Sequence, residues 1–193
     1  GYIGKWHLDG RGRSAYIPPE RRQGFDFWQA LECSHDYHHS PYYDNDDPKM
    51  RYWQGYDAAD QTDHAIEFLR KNRQRPFLLM LSWGPPHSAN QKAPEEFRRL
   101  YDPQKLILRP NVPEKSSGFP HRLGWYPGID DNLQELRALL AGYYAHISAL
   151  DDNFGKLRAA LRTMKLEDNT ILLFTSDHGD MLGSHGLWNK QQP

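Results

Sequence analysis

An aspartate and a histidine stand side by side late in this sequence, at Asp177 and His178, and Gly179 follows them. A carboxylate oxygen and an imidazole nitrogen are both ligands that divalent metal ions accept. Adjacent residues of an extended segment point to opposite sides, so both can reach one ion only if the chain turns, as glycine permits. The pair indicates half of a metal site, although a strand-end turn beside an exposed histidine would give the same dipeptide.

A second set of residues could bind an anion. Lys5 and His7 stand two positions apart, so on an extended segment they face the same side, and His87 and Lys190 follow much later. Ammonium groups and imidazoles around a metal ion would suit the negative charge that develops on a sulfuryl or phosphoryl group during transfer. Each of these residues alone is typical of a solvated surface, and only the combination indicates a site.

Two apolar runs are predicted to be the strands that position these residues. Phe77–Leu81 precedes Gly84-Pro85-Pro86-His87, and Thr170–Thr175 ends directly before Ser176-Asp177. Continuous apolar runs between breakers are typical of strands buried on both faces in a parallel sheet. We therefore expect Phe77–Leu81 and Ile171–Phe174 to be buried, parallel strands of one sheet. Their polar followers would share the rim where ligands bind in such sheets.

The spacing of apolar residues predicts the helices that cover this sheet. We expect helices over Asp57–Asn72, over Glu95–Leu100, from a cap at Asp130 or Asp131 to about Leu150, and from Asn153 to Met164. The stretches 9–56 and 88–128 are otherwise predicted to be irregular, apart from a short strand near Phe25–Leu31. Strands that alternate with helices predict an α/β fold.

Composition narrows the class of protein. The 193 residues include 24 Lys+Arg and 25 Asp+Glu, and a net charge of -1 gives no electrostatic reason to expect nucleic acid as a partner. The apolar runs are too short to span a bilayer, so no membrane span is expected. The single cysteine, Cys33, excludes an internal disulfide and a multi-thiolate zinc site.

Three blocks, in this order along the chain, resemble the sulfatases of the alkaline phosphatase superfamily. They are Gly4-Lys5-Trp6-His7-Leu8, Pro86-His87, and Asn169-Thr170-Ile171 leading into Thr175–Gly183 and Lys190. The resemblance implies an α/β fold with an alkaline-phosphatase-like sheet flanked by helices. It also implies that the activity is hydrolysis of a sulfuric ester.

The resemblance assigns a role to each matching residue. Lys5 and His7 would contact the sulfate and the nucleophile, His87 would bind the sulfate and is a candidate proton donor to the leaving oxygen, and Lys190 would bridge sulfate and leaving group. The metal ligands would be Asp177 and His178. The divalent cation implied is Ca²⁺ first, with Mg²⁺ or Mn²⁺ as alternatives.

The family's nucleophile is a formylglycine made from Cys or Ser in a Cys/Ser-x-Pro/Ala-x-Arg motif, and this sequence has no match for it. Cys33 begins Cys33-Ser34-His35-Asp36-Tyr37, which lacks the Pro/Ala and the Arg and follows Lys5 instead of preceding it. Cys33 is therefore interpreted as a structural or incidental thiol. We expect residues 1–193 to be the central part of a single sulfatase catalytic domain, truncated at both ends. The formylglycine, an N-terminal strand and a C-terminal subdomain would lie outside it.

Two other functions stay open. A phosphonate or phosphate monoester hydrolase of the same superfamily would share the Asp-His-Gly block, and a non-catalytic anion-binding fragment would need no nucleophile. The expected partner is a small-molecule or carbohydrate sulfate ester. The segments 11–39 and 104–128 are expected to line the mouth of the pocket, and Trp53 and Trp125 could stack on a sugar.

Compartment and oligomeric state are left open by the sequence. The resemblance is compatible with a periplasmic, secreted or lysosomal protein, and the sequence does not exclude a cytoplasmic one.

Overall fold

The computed structural model describes residues 1–113, 133–187 and 190. Its strands are β1 (Tyr2–Lys5), β2 (Trp28–Leu31), β3 (Pro41–Asp44), β4 (Asp47–Tyr52) and β5 (Met80–Ser82). They form one mixed sheet in the order β4-β3-β2-β1-β5. β1 lies between β2 and β5 and is parallel to both, whereas β3 is antiparallel to β2 and to β4.

The helices are α1 (Asp57–Asn72), α2 (Glu95–Arg98) and α3 (Leu133–Thr163). The predictions of α1 and α2 are confirmed, α2 being slightly shorter than expected. α3 is one continuous helix where two segments were predicted, because Asn153 does not break it: its side-chain amide donates to the Ala149 carbonyl, 2.8 Å away, within the helix. The predicted cap at Asp130 or Asp131 lies outside the described residues.

The sequence of α1 explains both its ends and the face it buries. Asp57 and Asp60 lie in its first turn and Arg70 and Lys71 in its last turn, which complements the helix dipole. Its buried apolar side chains recur at helical spacing, at Ala58, Ala65, Phe68 and Leu69.

One face of the sheet is covered by α1 and α3. Ile3 of β1 is completely buried there, together with Leu69 of α1 and Leu157 and Leu161 of α3. This cluster is the largest part of the core, and it holds the middle strand of the parallel set in place. No helix among the described residues is both long and apolar enough to cross a membrane.

The opposite face is covered by the chain between β1 and β2. Tyr2, Trp6 and Trp28 form an aromatic cluster whose ring centroids lie 4.9 to 5.3 Å apart, and Ile17 packs against it. Part of the stretch predicted to be irregular is therefore core. Aromatic residues scattered at no regular period carry no signal for this, because they come together only when the strands pair.

The same stretch contains a hairpin that the sequence analysis missed. β2 confirms the short strand expected near Phe25–Leu31, but β3 and β4 pair across a turn at Asn45. Asn45 has a φ of 50°, and its side-chain oxygen accepts a hydrogen bond from the Trp28 amide at 3.0 Å. Asparagine tolerates this left-handed conformation, and that preference is the signal that would have revealed the turn.

The two predicted buried strands differ from expectation. Within Phe77–Leu81, only the end is a strand: β5 starts at Met80 and pairs in parallel with β1. One side of this segment is exposed, with Leu78 at 71% and Met80 at 51%, while Leu79 and Leu81 pack on the core, so the expected burial on both faces is wrong. Ile171–Phe174 forms no strand, and Ile171 is 98% exposed, so this half of the prediction is wrong for the described residues. A strand requires a neighbour that offers backbone hydrogen bonds, and an apolar pattern specifies no neighbour.

Candidate active site

The carboxyl ends of the three parallel strands meet at one rim of the sheet. Lys5 is the last residue of β1, Cys33 and His35 follow β2, and His87 follows β5. Because β1 lies between the other two strands, the residues that follow β2 and β5 flank Lys5. Polar residues at this edge are where a ligand of an α/β sheet is expected.

Gly4 allows β1 and β5 to approach each other just before Lys5. Its φ is +107°, and a Cβ built on it would lie 2.1 Å from the Ser82 carbonyl oxygen. No other residue fits this backbone without displacing a strand. The Gly-Lys-Trp-His block thus combines the residue that brings the strands together with the cation placed at their end.

The backbone beyond Lys5 is held by two neighbours. The Trp6 amide donates to the Leu31 carbonyl at 2.8 Å, which extends the β1–β2 contact past the strand. The buried Glu32 carboxylate accepts hydrogen bonds from the amides of Asp9 and Gly10, both within 2.9 Å of Oε1. His7 lies between these two anchors, exposed and with a φ of 56°.

His87 is held in place by a hydrogen bond between its backbone and a buried tyrosine. The Tyr37 hydroxyl, on a completely buried side chain, donates to the His87 carbonyl at 2.7 Å. The His87 ring is half-buried, and its Nδ1 lies 3.2 Å from the Ser88 hydroxyl oxygen.

Asp177, His178 and Lys190 form a contiguous polar group. Asp177 Oδ2 lies 3.3 Å from His178 Nε2, and Lys190 Nζ lies 2.9 Å from that same nitrogen. His178 Nδ1 lies 2.8 Å from the Gly179 carbonyl oxygen, to which it donates. Its Nε2 therefore accepts from Lys190, and the Asp177 carboxylate, 82% exposed, is open to a cation.

Burial and neighbouring positive charges lower the pKa values of the basic residues at this rim. Burial lowers the pKa of the Lys5 ammonium, and the nearby Lys190 ammonium adds to the effect while Asp177 opposes it. Burial followed by the charge of Lys5 lowers the pKa of His7. The pKa of His87 is lowered chiefly by burial, with Lys5, Lys190 and His178 contributing.

All six residues singled out in the sequence are therefore connected through electrostatic interactions, although they come from three distant segments. Cations held this close repel each other, and an anion bound among them would relieve that repulsion.

Sequence reasoning missed three residues at this rim. The imidazole of His35 stacks on that of His87, with ring centroids 4.3 Å apart and planes at 13°. Cys33 Sγ lies 3.4 Å from His35 Nε2, and the Cys33 amide donates to the Arg13 carbonyl at 3.0 Å. Arg13 also contributes to the lowered pKa values of Lys5 and His7. The available signal was position: Cys33 and His35 directly follow a strand parallel to β1.

Asp177 and His178 are the kinds of ligand that a divalent cation accepts, but they are only two. Asp177 provides a hard carboxylate and His178 an imidazole, whereas a calcium ion takes about six to eight oxygen ligands. In the part of the chain that the structure describes, no three His, Cys, Asp or Glu side chains converge where an ion could bind. These residues do not form a complete metal site by themselves.

A mixed sheet flanked by helices, with a cationic rim at the carboxyl ends of its parallel strands, defines the class as an alkaline-phosphatase-like α/β fold. The crystal structure of yidJ from Bacteroides fragilis, assigned to the sulfatases, matches with a TM-score of 0.78 and 29% identity over 96% of this chain and 42% of its own. The sequence model of the Sulfatase family matches residues 1–193. The chain belongs to the sulfatase family.

Two characterised relatives show how the resemblance is distributed. The ulvan-active sulfatase of Formosa agariphila is 44% identical over 188 residues, covering 96% of this chain and 34% of that protein. Human iduronate 2-sulfatase is 34% identical over 67% of this chain and 26% of its own length. The chain thus spans about a third of the first of these relatives and about a quarter of the second. Membership of this family generally implies a divalent cation and a formylglycine.

Proposed function

We propose that the protein containing this chain hydrolyses a sulfate monoester, and that residues 1–193 form the central part of its single catalytic domain. The observation that carries the proposal is the convergence of Lys5, His87 and Lys190 on one rim, where Lys190 contributes to lowering the pKa of Lys5 and both lysines contribute to lowering the pKa of His87. A rim built from cations is complementary to a sulfate group and to the charge that its transfer develops.

Each residue receives a role that its position supports. Lys5 and His7, at the end of β1, bind sulfate oxygens and face the attacking group, and Lys190 lies between the sulfate and the departing oxygen. His87 donates the proton that the departing oxygen takes up as the O–S bond breaks with its electron pair remaining on oxygen. A bound sulfate ester is negative and raises the pKa of His87 toward the range where it holds that proton.

Asp177 and His178 belong to the cation side of the site. We propose that they contribute two ligands to a divalent cation, with calcium as the first choice and Mg²⁺ or Mn²⁺ as alternatives. The cation would supply positive charge opposite a sulfate oxygen. Binding it would require His178 Nε2 to exchange its contact with Lys190 Nζ for the ion, which would free the ammonium to turn toward the ester.

The substrate class we propose is a carbohydrate sulfate ester. Relatives include an ulvan-active sulfatase and iduronate 2-sulfatase, whose names refer to sulfated carbohydrates. Arg13 and His35 lie on the same rim as Lys5, in the segment expected to line the pocket mouth, so this segment is placed to contact the sugar. Trp53, by contrast, is buried against Tyr42 at 3.8 Å and is not available to stack on a sugar; Trp125 lies outside the described residues.

The surface supports the proposal that this chain is one part of a larger domain. Ile171, Leu173 and Leu78 are 98%, 82% and 71% exposed, and side chains of this kind are normally covered in a finished fold. The relatives are about three times longer than the part they share with this chain, which leaves ample sequence to cover them.

The test uses the full-length enzyme with 4-nitrophenyl sulfate, phosphate and phosphonate esters. We expect turnover of the sulfate to exceed that of the other two, and Lys5→Ala, His87→Ala and Lys190→Ala each to reduce it on the order of a hundredfold. Lys71→Ala is the matched control, because Lys71 is an exposed lysine of α1 paired with Glu67. Preference for a phosphorus ester, or full activity of all three rim variants, would overturn the proposal.

A further inference from the structure

The contact between His35 and His87 joins the two strands that flank β1. His35 follows β2 and His87 follows β5, and their rings lie nearly parallel, with centroids 4.3 Å apart. Two flat rings in van der Waals contact restrict each other's rotation about χ2, which is otherwise a soft torsion. The stack therefore fixes the plane of the His87 ring from a different strand.

His35 is itself held in place. Its Nε2 lies 3.4 Å from Sγ of Cys33, which is buried, and the Cys33 backbone is anchored to Arg13. Burial and then the neighbouring His87 lower the pKa of His35 to about 4, so the ring is neutral near pH 7. A neutral ring can stack on His87 without adding a further positive charge to the rim.

The backbone and the ring of His87 are positioned by different residues. Tyr37 fixes the backbone through the His87 carbonyl, and His35 contacts the ring. Tyr37 and His35 are two positions apart in the segment that follows β2, so one short stretch contacts both the backbone and the ring of His87, in addition to the contact of its Nδ1 with Ser88.

We propose that His35 is a positioning residue for the reaction, and that its stacked ring aims the His87 imidazole at the departing oxygen of the ester. This rests on the proposed role of His87 as proton donor. A ring held in one plane keeps its N–H directed along a single line. A ring free to rotate samples many directions, and the rate of proton transfer falls accordingly.

The experiment compares four variants of the full-length enzyme on 4-nitrophenyl sulfate and on phenyl sulfate, whose leaving group is poorer. His35→Leu removes the ring, His35→Phe keeps a ring that can stack, and His87→Ala removes the proposed donor. His64→Leu is the matched control, because His64 is a histidine of α1 whose ring contacts that of Trp53, with centroids 5.1 Å apart, and it lies outside the segments that form the rim.

We expect His35→Leu to lower kcat on phenyl sulfate about tenfold, with a smaller loss on 4-nitrophenyl sulfate and little change in KM. His35→Phe should retain most of the activity, and His64→Leu should match the parent enzyme. If His35→Leu does not fold, His35→Asn gives the same comparison, since it keeps a polar group for Cys33 and lacks the ring.

Equal losses on the two esters, or a loss in His35→Phe as large as in His35→Leu, would overturn the positioning role. The same variants distinguish a failure of the positioning role of His35 from a failure of the proposed role of His87 as proton donor. If His87→Ala is also indifferent to the leaving group, then His87 is not the proton donor and the assignment of His35 falls with it. If only His87→Ala responds to the leaving group, the donor stands and the positioning role alone is wrong.

Discussion

The hydroxyl of Tyr37 donates a 2.7 Å hydrogen bond to the backbone carbonyl of His87, fifty positions further along the chain. Tyr37 is completely buried, and its ring lies against the His146 ring, with centroids 5.2 Å apart. The loop that carries a proposed catalytic histidine is thus hydrogen-bonded to a side chain of the core, and the contribution of this hydrogen bond can be measured.

Tyr37→Phe should lower stability by about 1 kcal/mol, since it removes the hydroxyl that donates to the partly buried carbonyls of His87 and Ser88. Because the bond holds the His87 loop, kcat of the full-length sulfatase should fall as well. Tyr101→Phe is the control: it loses a 2.7 Å contact with the Ser148 hydroxyl, far from the rim, and should change stability alone. Equal kinetics in the two variants would show that the bond does not position the loop.

Asp177→Ala should reduce metal-dependent hydrolysis on the order of a hundredfold, because it removes the formal negative charge that faces the cation. Cys33→Ala should cost far less, since Cys33 has no nucleophile motif around it and its Sγ contacts the supporting His35. Steady-state turnover of an aryl sulfate with and without added calcium measures both. Activity lost with Cys33 and kept without Asp177 would reverse these assignments.

His146 should make stability depend on pH. It is completely buried, its Nδ1 lies 2.8 Å from the Tyr56 hydroxyl oxygen, and burial lowers its pKa to about 4. Above pH 6.5 the ring is neutral in both states, so its hydrogen bonds are fully present. Between pH 6.5 and 4 only the unfolded chain takes up the proton, so stability falls by up to about 1.4 kcal/mol per pH unit.

The measurement is the thermal midpoint of the parent protein and of His146→Gln between pH 8 and 4. The stability advantage of the parent should shrink as the pH falls. Asp57 acts in the opposite direction, because burial raises its pKa to about 7, but it is present in both proteins and cancels in the difference. A difference that stays constant with pH would mean that His146 does not titrate as described.

Gly142→Ala and Gly155→Ala should have opposite effects although both lie in α3. A Cβ on Gly142 would lie 2.5 Å from the Asn90 carbonyl oxygen, so the helix would have to move away from the segment that follows His87. Nothing lies within 4 Å of the same position on Gly155, where alanine should stabilise by about 0.5 to 1 kcal/mol through helix propensity. The thermal midpoints of the two variants measure these effects. Equal destabilisation of both variants would show that the space around the two glycines does not differ in this way.

Residues 1–193 alone should bind calcium weakly and should not turn over an aryl sulfate. Asp177 and His178 supply too few ligands, and Lys5 and Lys190 repel a divalent cation. Neither Lys5 nor His7 can replace the hydrated oxygen of a formylglycine as nucleophile. Isothermal titration with calcium, followed by a chromogenic sulfatase assay, tests both statements, and micromolar affinity or metal-dependent turnover would contradict them.

Local signals in the sequence located much of this structure. The spacing of apolar residues predicted both ends of α1 correctly, because a helix is stabilised by contacts between residues only a few positions apart. The hairpin at Asn45 was missed although a local signal was present. The prediction of a strand at Ile171–Phe174 was wrong because strand pairing depends on a neighbouring strand, which can lie anywhere in the chain.

The sequence by itself determined which chemical groups are available: the cations Lys5 and Lys190, the imidazoles of His7, His87 and His178, and the carboxylate of Asp177. It also determined the order in which they occur, and that order indicated the sulfatase family. Only the tertiary structure decided which groups surround them. Placing β1 between β2 and β5 lets His35, after β2, stack on His87, after β5, a contact that depends on how the strands are arranged and not on any pattern within a strand.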